Sequence, residues 1–320
     1  MNDALDCLPS PTGPYQVGIA KYDLNDQLRN RLIPIQIYFP MAKGNHILQQ
    51  KLFEQRVLDT WPPLQTCVYG QLASLSELSA DEQHPIIFLN HGESVAMTDY
   101  AFLAEDLASH GYAVIAMQHQ LKTDPKEPPY LRQRSVRRYS TVIDNLLFTF
   151  EWLKGHLVDL FQNSLDLKKV GLIGHSMGGN ALLLLANRTT STFKKKEQDT
   201  LLPHDDVQGV KEALIVMDTR GFTYPAHNQY PLFFLMAEEW QAYQEQSGVY
   251  QDLLNIGHKV KYYKGSKHIS FMDHGYINPP NPENPAEPYF NGTLEERKAF
   301  FNTIRSDIRE FLHRTGIKPA

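Results

Sequence analysis

A chain of 320 residues, 42% hydrophobic and 21% charged, is long enough for one large domain. Its formal net charge of -5 offers no electrostatic footing for nucleic acid. Its two cysteines, Cys7 and Cys67, lie far apart and exclude a Cys-x-x-Cys metal or redox site and a disulfide framework. The first nine residues lack a basic region followed by an apolar one, and no window reaches the roughly 20 apolar residues of a spanning helix. A cytoplasmic location is therefore the expectation, although a specialised non-Sec secretion route would leave no mark of this kind.

In chain order, Gly18 to Tyr22 and Ile33 to Phe39 concentrate apolar residues and predict an antiparallel pair of strands at a sheet edge. Residues 42 to 84 are polar and irregular, with Trp61-Pro62-Pro63 and the run Leu72 to Leu78. They are expected to be an insertion, a candidate cap over a pocket, and not a sheet layer. Six short apolar runs follow: Ile86 to Leu89, Ala113 to Ala116, Val170 to Ile173, Ala213 to Met217, Leu232 to Met236 and Val260 to Tyr263. Most are continuous, the pattern of parallel strands buried on both faces. Helical spacing occupies Thr98 to His110, Ser135 to Phe161, Met177 to Asn187, Glu238 to Asn255 and Thr293 to Thr315. Thr98 stands as the cap of the first of these, and Thr293 with Glu296 fits a capping box. Lys194-Lys195-Lys196 reads as a solvated loop, and the five prolines between Pro279 and Pro288 as a rigid surface loop. The alternation predicts a single α/β domain over 1–320, a mostly parallel central sheet with helices on both faces.

Within this pattern, Gly174-His175-Ser176-Met177-Gly178 follows an apolar strand and precedes a helical run. That is the setting of the nucleophile elbow of the α/β-hydrolase fold, in which a serine sits on a sharp turn and flanking glycines let strand and helix approach. A bland glycine-rich turn is the alternative. A serine hydroxyl needs a histidine base, and the base needs a carboxylate to hold its tautomer. Asp218 ends one strand and His268 follows the last, in the chain order Ser, Asp, His. His274 is the rival base; Asp273 and Glu238 are the rival carboxylates. His175 is expected to turn away from the site and pack. Two backbone N–H groups are the candidate oxyanion donors, those of Met177 and of Glu93 in Asn90-His91-Gly92-Glu93, with the Glu93 side chain pointing outward. No metal or cofactor is implied.

These residues resemble the plasma-type platelet-activating-factor acetylhydrolases, or group VII phospholipases A2, and their bacterial relatives. The resemblance is carried by Pro14-Tyr15-Gln16-Val17-Gly18, by His91-Gly92 through Asp106-Leu107-Ala108-Ser109-His110-Gly111-Tyr112, and by the elbow with Asp218 and Gly265-Ser266-Lys267-His268. It implies a metal-independent enzyme with Ser176, Asp218 and His268 as the triad and Glu93 and Met177 as oxyanion donors. It also implies a substrate with a short or oxidised acyl chain at the glycerol sn-2 position. The chain departs from the family pattern at Glu93, at Met97 and at His119-Gln120-Leu121.

The reading is a serine-dependent carboxylic ester hydrolase, of phospholipase A or acetylhydrolase type, acting on a lipid-like or small ester. A general carboxylesterase or acyltransferase is the alternative, and a non-catalytic binding protein a third. Because the base must be a neutral imidazole, activity is expected to rise between about pH 6 and 8. Phe222, Tyr224, Tyr230 and Trp240 offer a transient membrane-docking surface, although so apolar a stretch is expected mainly to be strand and core.

Overall fold

The computed structural model describes residues 8–42, 51–55, 64–80, 82–119, 136–191, 202–203, 210–219, 230–255, 257–277 and 288–320. Trp61-Pro62-Pro63, Gln120, Lys194 to Lys196, Phe222, Tyr224 and all of the proline-rich stretch but Pro288 lie outside them.

Strands β1 (Val17–Asp26) and β2 (Arg31–Pro40) form the expected antiparallel pair, with Val17 opposite Pro40 and Asp26 opposite Arg31. A separate antiparallel pair is made by β3 (Lys51–Gln55) and β4 (Leu64–Val68). The stretch expected to stand outside the sheet supplies its outermost strand, β5 (Gln71–Leu72), which runs parallel to β1 at Gly18 and Ile19. Two residues suffice because the ladder continues through Ala73, whose N–H donates to the Ile19 carbonyl at 3.0 Å. The remaining strands are β6 (His84–Asn90), β7 (Ala113–Met117), β8 (Leu165–His175), β9 (Lys211–Met217), β10 (Leu232–Ala237) and β11 (Lys259–Tyr263). They pair in parallel with their neighbours in the order β11-β10-β9-β8-β6-β7, and β2 joins β7 antiparallel.

Successive residues on these strands face opposite layers, so an unbroken apolar run feeds two cores. Phe88, Ile115, Leu172, Val216 and Phe234 meet α2 (Val136–Gly155) and α3 (Met177–Ser191) through Val142, Leu146, Phe150, Leu182 and Leu185. Leu89, Val114, Ile173, Ile215 and Phe233 share the opposite core with Phe102 and Leu107 of α1 (Ala101–Ser109) and with α7 (Leu294–Arg314) through Phe301, Ile304 and Ile308. At roughly 1.5–3 kcal/mol for each fully buried large side chain, these layers are the main favourable contribution to the fold.

Helix ends depart from expectation where tertiary contacts outweigh local pattern. Thr98 is not a cap: Met97–Tyr100 is a 3-10 turn led by Ala96, whose N–H donates to Asp99 at 2.7 Å. The run Glu238 to Asn255 is broken into a 3-10 turn (Glu238–Trp240), α4 (Gln241–Gln246) and α5 (Val249–Asn255), because Gly248 takes a φ of +76° that ends the first helix. A short α6 (Asp273–Ile277) follows the last strand. The Thr293–Glu296 capping box forms as expected at the start of α7, with the Thr293 N–H donating to Glu296 at 2.8 Å. Tyr230 is buried and Trp240 packs against the core, so neither is a free docking surface. Among the described residues no helix is long and apolar enough to cross a membrane.

The strand order positions the site. After β7 the chain returns to the other side of β6, so β6 lies between β7 and β8 and the connections leave their carboxyl ends in opposite directions. The crevice this opens is where an open α/β sheet binds ligands.

Candidate active site

Ser176 joins β8 directly to α3 with a φ of +51°, a left-handed conformation that a serine adopts at a cost. The turn is this sharp because the surrounding glycines allow backbones to touch. A Cβ on Gly174 would lie 2.6 Å from the backbone of Gly178 and Gly179, and one on Gly178 would lie 2.4 Å from the Asn90 carbonyl. The turn is held from below, where the Ser176 N–H donates to the Met217 carbonyl at 2.9 Å.

Asp218, one residue beyond β9, also has a positive φ, +44°, and is fully buried. One carboxylate oxygen accepts the Ala237 N–H at 2.8 Å; the other lies 2.5 Å from His268 Nδ1. The only hydrogen Nδ1 can offer that carboxylate is its own, so the neutral ring keeps Nε2 as an acceptor. Nε2 lies 3.0 Å from Ser176 Oγ, at ordinary hydrogen-bond length. The three residues nominated from the sequence therefore form one continuous hydrogen-bonded chain.

The loop carrying His268 is fixed at several points. Glu239 accepts the His268 N–H and Glu238 the Gly265 N–H, each at 2.8 Å. Ser270 accepts the Lys267 N–H at 2.8 Å and donates to the Tyr289 carbonyl at 2.6 Å. Glu238 is thus a brace for the loop and not the partner of the imidazole. His274 is buried in α6 with its ring edge-on to Tyr289, and Asp273 binds the start of α1.

Beside the serine lies the loop after β6. A Cβ on Gly92 would stand 3.1 Å from His175 Nδ1 and 3.3 Å from Ser176 Cβ, a tight fit that glycine relieves. His91 shapes the loop: Nδ1 donates to the Gly92 carbonyl at 2.6 Å, and Nε2 accepts the His119 N–H at 2.9 Å and the Gln118 amide at 3.2 Å. Gln118 also accepts the Met97 N–H at 3.0 Å. Burial lowers the His91 pKa to about 4, which keeps it the neutral acceptor these bonds need. Met177 opens α3, so its N–H has no intrahelical acceptor and lies at the positive end of the helix dipole. The Glu93 N–H makes no hydrogen bond to another described residue. The Glu93 side chain forms an ion pair with the buried Arg138, which neutralises a carboxylate carried on this loop.

His175 does not simply turn away and pack. Its Nδ1 lies 2.9 Å from the Tyr100 hydroxyl, its Nε2 lies 3.0 Å from the His268 carbonyl, and its ring centroid is 4.7 Å from that of His268. Neither this arrangement nor Arg138 has a sequence signal, because positions 100, 138, 175 and 268 meet only through the tertiary fold. Among the described residues no three His, Cys, Asp or Glu side chains are arranged to hold a metal ion.

Comparison with known proteins adds the following. The sequence model of a family described as Chlorophyllase matches residues 75–225, a span that includes Ser176 and Asp218 but ends before His268. The dog (Canis lupus familiaris) protein named platelet-activating factor acetylhydrolase is 23% identical over 274 residues, covering 68% of this chain and 61% of its own length. Its bovine (Bos taurus) namesake is 25% identical over 236 residues, covering 55% and 51%. An Arthroderma benhamiae protein named probable 1-alkyl-2-acetylglycerophosphocholine esterase is 25% identical over 213 residues, covering 55% and 54%. The chain thus spans about half to three fifths of the length of these relatives. A solved structure, the ferulic acid esterase from Streptomyces cinnamoneus, superposes with a TM-score of 0.65 at 18% identity, covering 97% of this chain and 93% of its own, a likeness of fold.

Proposed function

The chain is a member of the α/β-hydrolase superfamily, similar to its esterases, and on that premise we propose that it is a serine-dependent carboxylic ester hydrolase working through an acyl-serine intermediate. The observation that carries the reading is the hydrogen-bonded chain from Ser176 Oγ through the His268 ring to Asp218, set on an elbow of positive φ.

The chemistry runs in two halves. Ser176 Oγ attacks the ester carbonyl carbon while its proton passes to His268 Nε2, and the carbonyl π electrons move onto oxygen. Asp218 holds the imidazole and offsets its new positive charge. The N–H groups of Met177 and Glu93 receive the oxyanion; such a donor is worth roughly 10²–10³ in rate. When the tetrahedral species collapses, His268 returns the proton to the departing alcohol oxygen, leaving acyl-Ser176. Water then repeats the sequence, releasing the carboxylic acid and restoring the serine.

The names of the matched relatives, together with the sequence resemblance, support a lipid-like ester with a short acyl chain as the substrate class. The test combines a fluorophosphonate probe with a panel of p-nitrophenyl esters and sn-2 acyl phospholipids graded by chain length. Wild type is expected to take up the probe on Ser176 and to cleave short-chain phospholipids, and Ser176→Ala to do neither. Cleavage of p-nitrophenyl esters alone would make it a general small-substrate esterase. Transfer to an added alcohol in preference to water would make it an acyltransferase. Folded wild-type protein that neither labels nor cleaves any ester overturns the proposal.

A further inference from the structure

Three separate segments converge on the site: the Gly92 loop after β6, the elbow after β8 and the His268 loop after β11. Two buried side chains in series, Tyr100 and His175, link all three. The Gly92 N–H donates to the Tyr100 hydroxyl oxygen at 3.1 Å, which leaves that hydroxyl its own hydrogen to give. It lies 2.9 Å from His175 Nδ1, and His175 Nε2 lies 3.0 Å from the His268 carbonyl oxygen. A carbonyl can only accept, so Nε2 bears the ring hydrogen and Nδ1 is the acceptor. The bonds therefore have a fixed sense: Gly92 N–H to Tyr100, Tyr100 O–H to His175 Nδ1, and His175 Nε2–H to His268 C=O. Tyr100 and His175 are both buried, so water does not compete for these partners.

We propose that His175, its tautomer set by the His268 carbonyl and its Nδ1 held by the Tyr100 hydroxyl, is a positioning residue that holds the His268 backbone and, through Tyr100, the Gly92 loop in register with Ser176. The inference rests on the proposed serine chemistry. His175 touches no reacting atom. It is covalently next to the nucleophile, so its bond to the His268 carbonyl places the base loop directly from the elbow, and its bond to Tyr100 places the Gly92 loop through that hydroxyl. An error of about 1 Å between base and nucleophile costs on the order of 10²-fold in rate.

The test uses the full chain with wild type, His175→Phe, His175→Gln and Tyr100→Phe, counting competent sites by fluorophosphonate titration. His175→Phe keeps the ring shape and loses both bonds; Tyr100→Phe deletes one oxygen and with it the link from His175 Nδ1 to the Gly92 N–H. Both are expected to lower kcat on a p-nitrophenyl ester by roughly 10- to 100-fold, with KM within about twofold and the acid limb of the pH profile displaced. His175→Gln, whose amide can still donate to the His268 carbonyl, is expected to recover several-fold of the loss. Folded His175→Phe and Tyr100→Phe with wild-type kcat and an unmoved pH profile overturn the inference. If His175→Phe does not fold, Tyr100→Phe alone decides. Wild type that labels and turns over while both variants match it defeats only this inference; folded wild type that does neither defeats the serine reading itself.

Discussion

The carboxylate of Asp273, five residues beyond His268 in the chain, accepts the backbone N–H of Ala101 at 3.1 Å and, through its other oxygen, that of Phe102 at the same distance. A side chain from the base loop thus caps the helix that follows the Gly92 loop, a task local sequence had suggested for Thr98. Asp273→Asn puts an NH₂ where one N–H needs an acceptor. The expected loss is about 1–2 kcal/mol, the value of a helix cap, read as a fall of roughly 1.5–3 °C in Tm, with kcat reduced a few-fold as the base loop loosens. An unchanged Tm would show that the cap contributes nothing.

The Glu93–Arg138 pair should matter to chemistry more than to folding. A carboxylate left unpaired on the loop that carries a proposed oxyanion donor opposes the negative charge developing beside it. Arg138→Met is therefore expected to lower kcat by roughly 10- to 100-fold, and the double change Glu93→Gln with Arg138→Met to restore most of it. A double-mutant cycle on kcat/KM checks this, and additive losses would refute the electrostatic account.

Asp218→Asn tests the tautomer argument. An asparagine amide facing His268 Nδ1 can donate to it, which moves the ring hydrogen to Nε2 and leaves nothing to accept the serine proton. The expected fall in kcat is roughly 10⁴-fold, with a parallel fall in the rate of fluorophosphonate labelling. A loss smaller than about tenfold would place the carboxylate elsewhere.

Glu105 carries a pH signature in stability. Its carboxylate accepts the N–H groups of Tyr69 and Gly70, yet burial outweighs these bonds and pushes its pKa up to about 7. Folding thus favours the protonated form. The stability this contributes is fully present below about pH 4.5 and lost as pH rises through about 7, a change of at most about 3 kcal/mol. His91 acts with the opposite sign: its lowered pKa favours the neutral ring, so its contribution is present above about 6.5 and lost as pH falls through about 4. The difference in Tm between wild type and Glu105→Gln isolates the first effect. It is expected to turn against wild type between pH 4.5 and 7, and a constant difference across that window would exclude it.

How much of this was legible in the chain depends on the range of the forces involved. The run Ile86 to Leu89 announces a strand covered on both sides because every residue in it is apolar, and the two cores agree. The elbow was readable because Gly174 and Gly178 answer a steric demand between sequence neighbours and the strand beneath them. Asp218 and His268 stand each on the connection after a strand; they lie within hydrogen-bond reach of one another, and His268 within reach of Ser176. What lacked a local mark was Tyr100 against His175, Arg138 against Glu93 and Asp273 against α1, since each pairs residues far apart in sequence. The single helix expected over Glu238 to Asn255 failed for a local reason that periodicity overlooks, the left-handed glycine at 248.

The positive φ values at Ser176 and Asp218 set evolution and engineering at odds. Each costs on the order of 1–3 kcal/mol that a glycine would return. Lineages screened for heat resistance alone would drift toward glycine at both positions, gaining durable chains with nothing left to attack an ester. On the proposed serine chemistry the nucleophile has to occupy that costly turn, so any campaign to harden this scaffold has to assay activity at every round.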